Sequence, residues 1–457
     1  MQLVRTAQRE IHFEKGPIVK ELVIYTAPIL MSQLLQQVYN ITDCAIVGHF
    51  CGEYGLAAVG LGGLILSVLI NFFIGFSTGA GVLTAQEFGA YNYPQLKKTI
   101  CSIINLGLLL GALLTAAGLL LSGQMLVWIS CPTDMIDITG TYLTICFLGL
   151  LPQLVYNIGN AILRSLGDTG SSLEYLLFSS AINLGLDFLF AAVLGWGLAG
   201  AAIATVIAQW VLFFMIMRRL FRLDKRYSYS LHSNGLSLSE LKTMFGMSLP
   251  SGMQAIFMSI SSLVLQVSIN SFGAAAVAGM TVYAKLEGFL YYPAFSYGIA
   301  LTAFVGQNFG ARCMQRIKKS VRLSLLVSTA IIVPLSLILI AIARPALELF
   351  TKDPDIIMNG FQAILWNFPM YFLYMINQIY LGTLKGLGKT VFPMICTMVC
   401  YCFFRVFWCQ LLIPVFHSMI VVYTSYDVSW IVMILMLLPY FHKTLAEKEK
   451  FCLLHAK

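Results

Sequence analysis

Apolar stretches of about 20 residues recur along the whole chain, each long enough to cross the hydrocarbon core of a bilayer. They fall near 22–47, 56–82, 99–122, 136–159, 172–194, 197–217, 244–270, 276–304, 321–343, 358–383, 391–413 and 418–440. The 457 residues are 59% hydrophobic and only 11% charged, with a mean hydropathy of +0.83. Soluble domains carry roughly 25% charged residues. The expected fold is therefore an all-α polytopic membrane protein with twelve transmembrane helices.

The charges orient those spans. Of the 28 Lys and Arg residues, 24 lie at the N-terminus, in alternate loops or in the C-terminal tail. They include Arg5, Arg9, Lys15 and Lys20, Lys97–Lys98, Arg218 to Arg226 and Arg312 to Arg322. Arg344 and Lys352 fall in the opposite loops, and Lys285 and Arg405 inside spans. Positive loops stay in the cytoplasm, so the protein is expected in the plasma membrane with both termini on the cytoplasmic side. The +8 charge is then topological and gives no reason to invoke nucleic acid. No secretory signal is expected before the first span. Eleven scattered cysteines form no CxxC or Cys/His pattern, so they read as small buried hydrophobes, without a disulfide framework or metal site. The charged stretch 218–243 divides the expected N-lobe (1–217, spans 1–6) from the C-lobe (244–457, spans 7–12).

The halves repeat. "QEFGAYNYPQLKKT" (86–99) returns as "QNFGARCMQRIKKS" (307–320), and "LRSLGDT" (163–169) as "LKGLGKT" (384–390), both displaced by 221 residues. Pro28 and Met31 return as Pro250 and Met253, displaced by 222. Six spans per half give both halves the same orientation, a parallel repeat about an axis along the membrane normal. "GTLKGLGKT" (382–390) imitates a phosphate loop, but its glycines enclose five residues where that motif needs four. No nucleotide site is expected, nor any cofactor or enzymatic activity.

Ionisable residues inside spans cost roughly 2.5–3.5 kcal/mol each on insertion scales and usually face a cavity or a partner. Span 1 sets Gln33, Gln36, Asn40 and Asp43 on one face; span 5 stacks Asn183 and Asp187 one turn apart; span 6 offers Thr205. At 1.5 Å per residue, Asp43 lies roughly 10 Å from the outer end of its span, and Asp187 and Thr205 roughly 12 Å. Three spans thus offer oxygen ligands at one level, suited to a proton or a sodium ion. Interhelical hydrogen bonding is the alternative role, chiefly for Gln33, Gln36 and Thr205. The second half lacks the cluster, having Phe404 and Trp408 at the positions equivalent to Asn183 and Asp187. It carries Lys285, Glu287, Arg405 and Asp427 instead, with Glu287 and Arg405 at similar depth as either an ion pair or a substrate contact. Asp427 receives no role. Span 10 sets Asn367, Tyr371, Tyr374 and Asn377 or Gln378 along one face as a cleft wall, and Gln254 of span 7 is a further candidate there.

The segments "YNITDCAIVGHF…GLAAVGL", "TAQEFGA", "ILRSLGDT", "INLGLDFLF", "GLAGAAIAT" and "LTAFVGQNFGA" resemble the multidrug and toxin extrusion (MATE) family over nearly the whole chain. The resemblance implies two pseudo-symmetric six-helix lobes around a V-shaped central cleft, and export of organic cations or drugs in exchange for Na⁺ or H⁺. The acids look like the DinF-type branch, which carries coupling-cation roles to Asp43, Asn183, Asp187 and Thr205 and a hinge role to Pro28. The expectation is a monomeric secondary antiporter whose partners are a small organic substrate and membrane lipid. The alternative is a flippase for a lipid-linked oligosaccharide or another amphiphile, supported by Lys285 and Arg405. A non-transporting receptor or scaffold is the more distant rival, since the loops on both faces are short.

Overall fold

The computed structural model describes residues 11–128, 131–230 and 238–454, and all its regular elements among these residues are helices. Arg5, Arg9 and part of the 218–243 stretch (231–237) lie outside them. In lipid a chain must satisfy its backbone polar groups within itself, and the helix does so. The first six spans are α1 (Ile18–Phe50), α2 (Gly52–Gly89), α3 (Tyr93–Trp128), the pair α4 (Ile136–Phe147) and α5 (Leu150–Ser165), α6 (Gly170–Asp187) and α7 (Gly197–Phe221). The second six are α8 (Leu238–Asn270), α9 (Ala274–Gly310), α10 (Met314–Ala341) with the short α11 (Ala343–Glu348), the pair α12 (Pro354–Asn367) and α13 (Tyr371–Gly386), the pair α14 (Val391–Thr397) and α15 (Arg405–Phe416), and α16 (Ile420–Leu454).

Ten stretches are each long and apolar enough to cross a membrane, and the fourth span makes an eleventh although it bends by 44° at its break. The expected span 10 is α12 and α13, separated by the 3₁₀ turn Phe368–Met370. Pro369 lies in that turn and cannot donate to a helix behind it. Asp353 starts α12 by accepting from the Asp355 and Ile356 amides at 2.9 and 3.4 Å, with Pro354 in the first turn.

The repeat is visible in the backbone. Tyr91 (φ 55°) and Arg312 (φ 59°) both adopt the left-handed conformation in the loops that close α2 and α9, and they are 221 residues apart. Side chains with a Cβ seldom enter that region, so the matching pair marks a shared loop geometry. Gly167 (φ 91°) and Gly388 (φ 77°) repeat the relation, as does the break at 148–149 with the turn at 368–370.

Packing separates the chain into two units. One comprises Met1–His12 and Ala27–Gly252; the other comprises Phe13–Thr26 and Met253–Lys457. These limits differ from the 1–217, 218–243 and 244–457 division suggested by charge, because two helices change unit along their length. α1 does so between Thr26 and Ala27, just before Pro28, and α8 between Gly252 and Met253, just after Pro250. In the first unit α8 lies so close to α2 that a Cβ on Gly79 would fall 2.5 Å from the Ser248 backbone nitrogen. Gln95 also donates to Glu240 at 2.7 Å there. In the second unit Arg316, 221 residues after Gln95, donates to the carbonyls of Phe13 (2.7 Å), Lys15 (3.1 Å) and Gly16 (2.8 Å) and to Glu21 (3.1 Å). Glu21 and Glu240 both lie in the first turn of a helix that changes unit.

Large apolar side chains face outward, Leu120 at 84% and Leu326 at 69% exposure, as lipid permits. Some buried hydroxyls turn back on their own helix, Ser77 to the Phe73 carbonyl (2.7 Å) and Thr84 to that of Ala80 (2.8 Å), and others cross to a neighbour, Ser179 to the Ala208 carbonyl (2.8 Å). Seven of the eleven cysteines are buried, in keeping with their reading as small hydrophobes, but Cys44 is exposed.

Candidate functional sites in the two units

In the first unit α1, α4, α6 and α7 bring polar side chains together. Asp187 is the last residue of α6, where the helix widens into a π-helical turn, Phe188–Val193. Such turns interrupt the regular ladder and often accompany function. Asn183 and Asp187 are each 1% exposed, and both polar atoms of each side chain lack a hydrogen-bond partner, as does one oxygen of Asp43. The Asp43 and Asp187 carboxyl groups nevertheless lie within hydrogen-bonding reach of one another. The two facts agree chemically: ionised carboxylates only accept, so this pair can bond only with a proton between them or a cation shared by both. Thr205 reaches the Tyr39 hydroxyl, one turn before Asp43. Tyr142 and Cys146 of α4 form a further contact beside this group.

Thus Asp43, Asn183, Asp187 and Thr205 lie on three helices of one unit. Tyr39, Tyr142 and Cys146 were missed. Tyr39 had a signal, being four residues before Asp43, whereas the α4 pair lies in a stretch with no charge to draw notice. Gln33 and Gln36 are half-buried and Asn40 is exposed. Among the described residues no three His, Cys, Asp or Glu side chains converge. The oxygen-only donor set suits a proton or a hard monovalent cation better than a transition metal.

The second unit holds a different cluster. The Tyr371 hydroxyl donates to Glu287 at 3.2 Å, Asn367 donates to the Tyr283 hydroxyl at 3.1 Å, and Gln378 donates to that of Tyr374 at 2.7 Å. Asn377 donates to the Trp430 carbonyl at 3.2 Å. Gln254 is spent on an interhelical bond to Thr397 at 2.8 Å. Arg405 follows a second π-helical turn, Met398–Phe404, and is 7% exposed. Of the two roles their depth allowed, Glu287 and Arg405 do not form the ion pair, although Arg405 lies within electrostatic reach of Glu287. Arg405 instead donates to Ser429 at 2.8 Å and lies over the Tyr401 and Tyr426 rings, 4.7 and 4.4 Å from their centroids. Asp427 is buried within electrostatic reach of Arg405. Lys285 is exposed and stays apart from Glu287, because residues two apart on a helix point to different sides.

Tandem six-span halves, broken at the same register and carrying paired acids within one bundle, define an integral membrane protein of the transporter type. The MatE family profile matches residues 28–189 and again residues 250–411, so it recognises both halves, and the chain belongs to that family. It is 25% identical over 398 residues to the "Probable multidrug resistance protein YpnP" of Bacillus subtilis, covering 85% of this chain and 87% of the relative. Identity to the "Probable multidrug resistance protein NorM" of Thermotoga maritima is 25% over 394 residues, covering 84% of each. The fold matches the solved "Outward-facing conformation of a multidrug resistance MATE family transporter of the MOP superfamily" with a TM-score of 0.90 at 21% identity, over 97% of this chain and 99% of that one.

Proposed function

We propose that this protein is a secondary antiporter that exports organic cations or drugs in exchange for Na⁺ or H⁺ by alternating access. In this reading Asp43, Asn183, Asp187 and Thr205 hold the coupling cation, and Pro28 is the point at which α1 bends. The observation that carries it is the facing pair Asp43 and Asp187, which approach each other from different helices with both Asp187 oxygens and one Asp43 oxygen left without another hydrogen-bond partner. Two acids kept within a bundle at this cost mark an ion pathway by default. A cation that binds one conformation better than another shifts the balance between them, and only such a difference can drive exchange. The names of the relatives support a broad organic substrate range. Glu287 with Tyr371, Tyr374 and Asn367 supplies an acid among aromatic rings, a surface suited to organic cations.

The flippase alternative draws on Lys285 and Arg405 acting together. With Lys285 exposed and Arg405 held between two tyrosines, the antiporter reading has the better support. The deciding experiment is efflux of a fluorescent organic cation from proteoliposomes, with sodium and pH gradients imposed separately. Efflux should respond to one gradient and lose that response in Asp187→Asn. Transport that ignores both gradients would reject the proposal.

A further inference from the structure

A second kind of site lies in the second unit, where α1 and α10 begin. The turn Gly16–Val19 and the first three turns of α10 line a cavity of about 820 Å³. A smaller one of about 320 Å³ shares Lys318 and Arg322 with it and continues to Leu325, Phe441 and Leu445. Four cations border the larger cavity: Arg316, Lys318, Lys319 and Arg322. Two are already engaged. Arg316 is spent on the Phe13, Lys15 and Gly16 carbonyls and Glu21, and Lys318 pairs with Glu449 at 2.7 Å. That leaves Lys319 and Arg322, three residues apart on one exposed face of α10, and four positive charges against two carboxylates. The first-turn amides of two helices add their partial positive charge.

The surroundings identify the anion. Beyond Arg322 the outer face of α10 turns apolar, with Leu326 at 69% and Ile331 at 55% exposure. Ile18, Val19 and Leu323 line the cavity itself. A soluble anion has no use for apolar walls, whereas a phospholipid presents a phosphate at one level and acyl chains directly beside it. Basic pockets between spans at the end of a bundle suit anionic headgroups.

We propose that this cavity binds the headgroup phosphate of an anionic phospholipid, with Lys319 and Arg322 as the phosphate contacts and the apolar face of α10 as the bed of an acyl chain. The proposal is independent of the antiport reading. Each basic residue near an anionic surface contributes about 1 kcal/mol, roughly five- to sixfold in affinity, so the two together give about thirtyfold.

The test is native mass spectrometry of the full-length protein, delipidated and titrated with phosphatidylglycerol or with phosphatidylcholine of identical chains. The first phosphatidylglycerol should bind about thirtyfold more tightly, Lys319→Gln/Arg322→Gln should erase most of that preference, and Lys352→Gln, at the other end of the span, should leave it unchanged. Lys319→Arg/Arg322→Lys should also keep it, which separates lost charge from lost folding. Excess inorganic phosphate should fail to displace the lipid. No preference in the wild type, a preference that survives the glutamine pair, or full displacement by inorganic phosphate each overturns the proposal; the last would make the site one for a free anion.

Discussion

Removing one carboxylate from the Asp43–Asp187 pair should change cation binding far more than folding. Two full charges about 4 Å apart repel by about 4 kcal/mol at an effective dielectric constant of about 20. A proton or sodium ion lodged between them relieves most of that, which is the gain the site offers its occupant. Asp187→Asn keeps the shape and removes the repulsion, so cation affinity should fall by about 10³. The readout is the melting temperature of purified protein over a series of sodium concentrations and pH values, since a ligand that binds only the folded form stabilises it by RT ln(1 + [L]/Kd). The wild type should be stabilised by one of the two ions. Asp43→Asn and Asp187→Asn should each flatten that response, and the double variant should do no more than either, because the carboxylates act as one unit. Losses that add, or a single variant with a wild-type response, would refute the shared-cation reasoning.

Asp168 is 1% exposed, takes two bonds from Arg219 (2.9 and 2.7 Å) and two from Ser171 (3.1 and 2.8 Å), so Asp168→Ala should cost about 3 kcal/mol. Thermal unfolding in detergent should show a lowered midpoint. Gly79→Val would drive a side chain into the Ser248 backbone, and monodisperse protein should be lost on size exclusion, whereas Gly63→Ala, with open space around it, should behave as wild type. Outside the spans, hydrogen bonds from Arg226 hold the Asp224 carboxyl down at about 2. A lowered carboxylate stabilises the fold above its ordinary range and loses that effect as pH falls through the folded value. NMR of Asp224 should therefore show a charged side chain down to about pH 3.

Much of this was legible in the sequence. Span positions followed from run length, and the 221-residue displacement reappears in the twin left-handed residues Tyr91 and Arg312. Asp43 and Asp187 could be brought together on paper because helical rise converts position into depth. Lateral placement has no such ruler. Glu287 and Arg405 shared a depth and lie within electrostatic reach of one another without pairing, and the two-residue step from Lys285 to Glu287 was the signal that those two would part. The rings that clasp Arg405 come from a π-helical turn and from α16, and no local pattern announces such a turn. The change of unit along α1 and α8 was equally silent, since a helix carries the same periodicity whichever neighbours it meets.

That exchange bears on how the protein is made. Phe13–Thr26 finds its place only beside Phe304 and Arg316, and the first unit is finished only when Leu238–Gly252 arrives. A ribosome that has just completed the sixth span has therefore released a lobe still lacking a wall, while the first turns of the opening helix, up to Thr26, wait unhoused for much of the remaining translation. Two polypeptides divided at the 218–243 stretch would each have to donate an end to the other before either could mature.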